Sequence, residues 1–198
     1  MTPRAAAELC DYIYSPNGEF EQIISVKDIV GGTVKTATGT ALVFRGTENL
    51  GDFLSDIDAV PVPVDGLGNV HQGFYQDLPD FMEAAIPHLS GEILLMGHSL
   101  GASRAELATG ILLLNNIPVT QLYSFEPAKV ATDGTLWNLL ASVNPQLYKN
   151  GNDLVPDLPD MLDYKHPAAL QRIGPALWPF PNIEDHLIEN VIPHVPLR

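Results

Sequence analysis

A pentapeptide of sequence Gly-His-Ser-Leu-Gly, residues 97–101, separates an apolar run from a stretch of helical character. The run before it, Ile93 to Met96, predicts a buried strand, and residues 100 to about 114 predict a helix. At a sharp turn from strand to helix, side chains at the two flanking positions would clash with neighbouring backbone, which explains a glycine at each. Such a turn projects the hydroxyl of Ser99 out of the sheet. The pattern therefore indicates a serine nucleophile.

Predicted strands alternate with predicted helices along most of the chain. Helices are expected at about 2–14 (capped by Thr2), 48–58, 71–89, 100–114 and 135–143, and strands at 20–45 (an antiparallel meander), 60–64 (an edge), 92–96, 119–125 and 146–149. This alternation predicts an α/β fold with a mostly parallel central sheet, an antiparallel N-terminal meander and helices on both faces. Ligands would bind where the strand carboxyl ends meet. The length of 198 residues, without linker or repeat, fits one domain over 1–198.

The charge of the chain limits its partners. With 24 acidic and 10 basic residues, the formal net charge of −14 disfavours nucleic acid and anionic membrane surfaces, and no stable protein partner is indicated. Glu8 and Asp11 interrupt the N-terminal region, so neither a signal peptide nor a transmembrane segment is expected. We expect a soluble protein, cytoplasmic at synthesis. The single Cys10 excludes an internal disulfide.

Four further segments accompany the pentapeptide in a fixed order: Val43-Phe44-Arg45-Gly46-Thr47, Val70-His71-Gln72-Gly73-Phe74-Tyr75, Asn152-Asp153-Leu154-Val155-Pro156 and Asp185-His186. Together they resemble the class 3 lipases, the fungal triacylglycerol lipase-like family of α/β-hydrolases. The resemblance implies the α/β-hydrolase fold and cleavage of lipid carboxylic esters through an acyl-enzyme on Ser99. Acylglycerols or phospholipid acyl esters would be the substrates, and the protein would contact a lipid interface transiently.

A serine hydroxyl needs a base, and histidine has the appropriate pKa range. His186 resembles the family's terminal Asp-His segment and comes last in the chain order of α/β-hydrolases, so it is the predicted base. His194 is the alternative. The other four histidines are assigned to structural or surface positions: His71, His88, His98 and His166.

The base in turn needs a carboxylate that orients it. Asp153 follows the strand predicted at 146–149 and lies in a segment that resembles the family's Asp-x-Val-Pro, so it is the predicted acid. Glu126 is the alternative, since it follows the strand predicted at 119–125. Here the chain departs from the family, whose Phe-Gly-x-Pro-Arg is replaced by Phe-Glu-Pro-Ala-Lys at 125–129.

Two oxyanion donors are predicted. The residue after the nucleophile, Leu100, supplies one backbone N–H, and the second donor of the family corresponds to Thr47 through its N–H and hydroxyl. Thr47 is equally suited to cap a helix that starts at Asn49.

Two apolar segments are candidates for substrate binding. Residues 48–56 occupy the position of the family's lid, and Phe53 and Leu54 would face the pocket; a helix packed permanently on the core is the alternative. Trp178 and Phe180 precede the predicted base and would form either an acyl-pocket wall or a small core beneath a loop.

No cofactor or metal is predicted. Two carboxylate clusters lack the glycine-containing calcium-loop pattern and are interpreted as solvated faces: Asp52, Asp56 and Asp58, and Asp153, Asp157, Asp160 and Asp163. Two rival functions remain, an acyltransferase that uses the same three residues and a binding protein that retains the fold without catalysis.

Overall fold

The computed structural model describes residues 1–47, 49, 51 and 60–198. Its helices within these ranges are α1 (Pro3–Tyr12), α2 (Gln72–Tyr75), α3 (Leu78–Ala85), α4 (Leu100–Leu114), α5 (Thr135–Leu140) and α6 (Ile188–Val191). Its strands are β1 (Gln22–Val26), β2 (Ile29–Lys35), β3 (Gly39–Phe44), β4 (Pro61–Val64), β5 (Gly68–His71), β6 (Glu92–His98), β7 (Val119–Phe125), β8 (Gln146–Asn150) and β9 (Leu170–Ile173).

Seven strands form one sheet in the order β1-β2-β3-β6-β7-β8-β9. The first three are antiparallel neighbours, and every pair from β3 to β9 is parallel. Strands β4 and β5 form a separate antiparallel hairpin. The alternating prolines of β4 lack N–H donors, which makes this segment unsuited to the centre of a sheet. The predicted fold, a mostly parallel sheet with an N-terminal meander, is confirmed.

Alternate side chains of the central strands enter two separate cores, one on each face of the sheet. In β3, Leu42 and Phe44 join the core that includes α3 and α4, whereas Ala41 and Val43 face α1 and the C-terminal segment. This two-residue period is the geometry of a strand buried on both sides. Helix α1 begins as predicted, with the Thr2 hydroxyl accepting from the Ala5 N–H at 3.2 Å.

One predicted helix is divided, and one strand of the seven-stranded sheet is missing from the prediction. The helix expected over 71–89 is two helices, because Asp77 adopts a left-handed backbone (φ 64°) and Pro79 would clash with the carbonyl of Tyr75 in a continuous helix. Strand β9 is not predicted at all. Its central Gln171 and Arg172 are exposed, and the strand exists through its pairing with β8.

Residues 48, 50 and 52–59 are not described, so the predicted helix at 48–58, and with it Phe53 and Leu54, lies outside the described residues. Among the helices that are described, none is long and apolar enough to cross a membrane.

Candidate active site

The pentapeptide forms the predicted turn between β6 and α4. Ser99 has φ 59° and ψ −130°, a backbone conformation that residues other than glycine rarely adopt. A Cβ on Gly97 would lie 2.2 Å from the carbonyl oxygen of Gly101, and a Cβ on Gly101 would lie 2.4 Å from that of Phe44. No side chain fits at either position of this turn, so both glycines are required, as the sequence predicts.

His186 and Asp153 form a short polar contact in the interior. Nδ1 of His186 lies 2.7 Å from Oδ2 of Asp153, and both side chains are buried. Oδ1 of Asp153 accepts the N–H of Val155 at 2.9 Å, which fixes the carboxylate. Among the described residues, neither Nε2 of His186 nor Oγ of Ser99 has a hydrogen-bond partner. A histidine oriented through one nitrogen keeps the other available for proton transfer.

Glu126 lies beside this pair. Its backbone has φ 52°, and its Oε1 accepts the Asn150 N–H at 2.7 Å. Burial and the Asp153 carboxylate hold the pKa of Glu126 well above its ordinary range. Burial acts to raise the pKa of Asp153 as well, but the neighbouring His186, followed by the Glu126 carboxyl group and the Val155 N–H, outweighs it, so that pKa is lowered. The structure thus brings both candidate acids to the site, with Asp153 as the partner of the imidazole.

A second imidazole, that of His98, binds the backbone of His186. Nε2 of His98 lies 2.8 Å from the carbonyl oxygen of His186, which can only accept, so Nε2 carries the hydrogen. Nδ1 is then the acceptor and receives the Tyr14 hydroxyl at 2.9 Å, while the Gly46 N–H donates to that phenolic oxygen. Burial, followed by the nearby His186, lowers the pKa of His98 to about 3, so this imidazole is neutral.

Asp185 organises the loop that carries His186. Its fully buried carboxylate accepts the Asn152 N–H at 2.8 Å, the Leu177 N–H at 3.1 Å and the Asn182 amide at 3.1 Å. Two stretches of backbone and one side chain are therefore bound to the residue that immediately precedes the imidazole.

A cavity of about 310 Å³ opens onto His186 and Thr47. Its described lining comes from α1, the end of β3, the turn after β6 and the C-terminal segment: Asp11, Tyr14, Thr47, His98, His186, Leu187, Ile188 and Glu189. Gly46, the residue before Thr47, abuts the turn, since a Cβ there would lie 3.2 Å from that of Ser99. The Leu100 N–H is at the first helical position, where no intrahelical acceptor exists.

The two aromatic residues predicted to line an acyl pocket are not in this lining. Trp178 is 53% exposed and donates its indole N–H to Glu184 at 2.9 Å, and Phe180 is 72% exposed. Neither is buried in a small core. The Asn49 N–H lies 3.3 Å from the Thr47 hydroxyl, and the helix that Thr47 could cap lies outside the described residues.

The remaining histidines are placed elsewhere. His194, the alternative base, is exposed and donates from Nδ1 to the Asn190 carbonyl at 3.1 Å. His71 stacks on Phe74 with ring centroids 3.7 Å apart. His166 was expected on the surface, but it is half-buried and donates to the Pro156 carbonyl at 2.8 Å, and burial lowers its pKa to about 4.

Within the described ranges, one set of three potential metal ligands has its donor atoms within 4.8 Å of one another: Glu126, Asp153 and His186. Two of them, His186 and Asp153, are already hydrogen-bonded to each other. The prediction that Asp153 belongs to a solvated face is wrong, because the loop after β8 turns it into the interior, whereas Asp157 and Asp160 are exposed.

Sequence reasoning missed the positions of Tyr14 and Asp185. The Tyr14 hydroxyl meets a histidine 84 positions away, so no local pattern indicates the contact. For Asp185 the signal was present, since it belongs to the segment that resembles the family's Asp-His, but its acceptor role depends on loops that only the fold brings together.

Comparisons with known proteins identify the family of this chain. The family model for lipase (class 3) matches residues 41–162. The secreted mono- and diacylglycerol lipases A of Penicillium cyclopium and Penicillium camembertii are each 26% identical over 155 residues, covering 72% of this chain and 48% of the relative. The chain thus spans about half the length of these relatives.

Solved structures show the same fold. The lipase of Rhizopus microsporus var. chinensis superposes with a TM-score of 0.74 at 20% identity, covering 93% of this chain and 84% of that one. A triacylglycerol lipase of Penicillium expansum gives a TM-score of 0.68 at 17% identity, covering 86% and 77%. The sheet of parallel strands, the turn at Ser99 and the match over 41–162 lead to one conclusion: the chain belongs to the class 3 lipase family.

Proposed function

We propose that this chain hydrolyses carboxylic ester bonds of lipids through an acyl-enzyme on Ser99. The observation that carries the proposal is the 2.7 Å contact between Nδ1 of His186 and Asp153, which leaves Nε2 unpartnered in a buried site that also contains the unpartnered Ser99 hydroxyl. Imidazole held in one tautomer by a carboxylate is the arrangement that activates a serine.

In the proposed reaction, Nε2 of His186 takes the Ser99 proton as Oγ attacks the ester carbonyl carbon. The resulting oxyanion is stabilised by the Leu100 N–H and by Thr47. Collapse of the intermediate breaks the bond to the alcohol, which leaves with the proton from His186. Water then repeats the sequence on the acyl-enzyme, releases the fatty acid and restores the serine.

Mono- and diacylglycerols are the substrates we propose to test first, because they are named for the Penicillium relatives. The carboxylates of Asp11 and Glu189 lie in the cavity lining, and the chain carries a net charge of −14. Both features favour an uncharged glyceride over an anionic phospholipid.

The test uses a fluorophosphonate probe and a short-chain p-nitrophenyl ester. Ser99→Ala should abolish labelling and lower turnover by about 10⁶, whereas Ser142→Ala, on the surface after α5, should leave both unchanged. Labelling that persists in Ser99→Ala, or an inactive wild-type protein against esters and acylglycerols alike, would refute the proposal.

A further inference from the structure

Glu126 lies at the carboxyl end of β7, where the chain departs from the Phe-Gly-x-Pro-Arg of the family. Its side chain is fully buried, and its backbone is held in the left-handed region. One carboxyl oxygen, Oε1, has a donor, the Asn150 N–H at 2.7 Å. The other, Oε2, is buried and receives no hydrogen bond from the described residues.

The neighbour of this carboxyl group is a second carboxyl group. One ligand atom from each of Glu126, Asp153 and His186 lies within 4.8 Å of the other two, and all three side chains are buried. Two buried carboxylates cannot both be ionised at this separation without a large free-energy cost, so one proton must lie between them.

The surroundings decide which group holds that proton. Asp153 already accepts from His186 at 2.7 Å and from the Val155 N–H at 2.9 Å, and both contacts stabilise its ionised form. The one nearby cation, among the described residues that influence Glu126, is Lys149, which is bound to Asp157 at 2.6 Å. Within the described part of the chain, Glu126 therefore has one backbone donor and no ion pair.

We propose that Glu126 is a positioning residue, a neutral carboxylic acid that donates a hydrogen bond to Asp153 and holds that carboxylate against His186. Its effect on turnover rests on the proposed function. Asp153 would then accept three hydrogen bonds, from Val155, His186 and Glu126. The glycine that the family pattern has at this position offers no such donor.

The first test detects the proton directly and needs no activity. Infrared spectra at neutral pH should contain the carbonyl stretch of an un-ionised carboxylic acid that disappears in Glu126→Gln. Glu106→Gln is the matched control, because Glu106 is also fully buried with a raised pKa but contacts Ser124 instead of the candidate active site. If the band that disappears in Glu126→Gln is that of an ionised carboxylate and not that of an un-ionised acid, the proposal is overturned.

The protonation of Glu126 can also be measured without a substitution at position 126. If Glu126→Gln does not fold, the Glu106→Gln protein still retains the Glu126 band. That band must then persist at neutral pH, and its absence would refute the proposal.

The second test measures kcat/KM against pH for an ester substrate. Glu126→Gln keeps a donor of the same shape and adds no charge, so its acid limb should stay within about 0.3 pH units of wild type. Glu126→Leu removes the donor, which leaves more negative charge on Asp153 and moves the acid limb to higher pH, with kcat reduced about tenfold. An acid limb that moves to lower pH in Glu126→Gln would show that Glu126 is ionised and would overturn the proposal.

The two tests separate the two proposals. A protein that hydrolyses no ester but shows the Glu126 acid band would refute the proposed function and keep the shared proton. An active enzyme without that band would keep the function and refute the role of Glu126.

Discussion

His98 donates the hydrogen on Nε2 to the backbone carbonyl of His186 across 2.8 Å. The residue immediately before the proposed nucleophile thus holds the backbone of the proposed base. Because His98 also accepts from Tyr14, the position of one imidazole depends on the first helix and on the turn after β6 together.

Tyr14→Phe should weaken this connection. The substitution leaves Nδ1 of His98 buried without its donor, so we expect a loss of about 1–3 kcal/mol in the free energy of unfolding and a lower kcat. Tyr12→Phe, an exposed position at the end of the same helix, is the control and should change neither. Urea unfolding and ester hydrolysis measure the two effects; equal stabilities for the two variants would contradict the assignment.

Asp153→Asn should reduce kcat by about 10⁴, because an amide in place of the carboxylate favours the wrong tautomer of His186. Asp160→Asn, an exposed substitution in the same loop, should retain wild-type activity. Steady-state kinetics of both variants check the ranking. If Asp153→Asn is impaired less than Glu126→Gln, the orienting acid must be reassigned to Glu126.

Asp185→Asn should destabilise the protein although it is nearly isosteric. The amide nitrogen would face N–H groups that now donate to the carboxylate, among them those of Asn152 and Leu177. Leaving such buried donors unpaired costs about 1–3 kcal/mol, measured as a loss in unfolding free energy. Glu184→Gln, on the neighbouring exposed side chain, is the control, and a variant Asp185→Asn as stable as that control would disprove the role of Asp185.

Glu106 makes the stability of the protein depend on pH. Burial raises the pKa of its carboxyl group well above the ordinary value of 4.5, although the Ser124 hydroxyl at 2.6 Å acts in the opposite direction. Above pH 4.5 the unfolded chain releases this proton while the folded protein keeps it, so stability falls as the pH rises through the raised pKa.

Glu106→Gln should remove this contribution. Its unfolding free energy should exceed that of wild type by an amount that grows as the pH rises from 4.5 toward the raised pKa, about 1.4 kcal/mol for each pH unit over which only the folded state keeps the proton. Thermal or urea unfolding across that range measures the difference. A difference independent of pH would mean that Glu106 titrates normally.

The sequence by itself determined the parts of this protein that depend on local geometry. The apolar run up to Met96, the glycines at 97 and 101 and the helical stretch to Leu114 predict a strand, a turn and a helix, and all three are observed. The order of strands and helices likewise determined a mostly parallel sheet, because short connections of one hand leave few arrangements.

Tertiary structure alone decided which side chains meet. Both Asp153 and Glu126 follow parallel strands, so either could have been the partner of the imidazole by sequence, and the loop after β8 is what directs Asp153 to His186 at 2.7 Å. The broken helix at Asp77 and the pairing that creates β9 depend on backbone torsion and on a neighbouring strand. Three contacts of the site join residues that are 33, 84 and 88 positions apart: His186 with Asp153, Tyr14 with His98, and His98 with His186. No local pattern indicates them, because these residues come close together only when the intervening chain has folded.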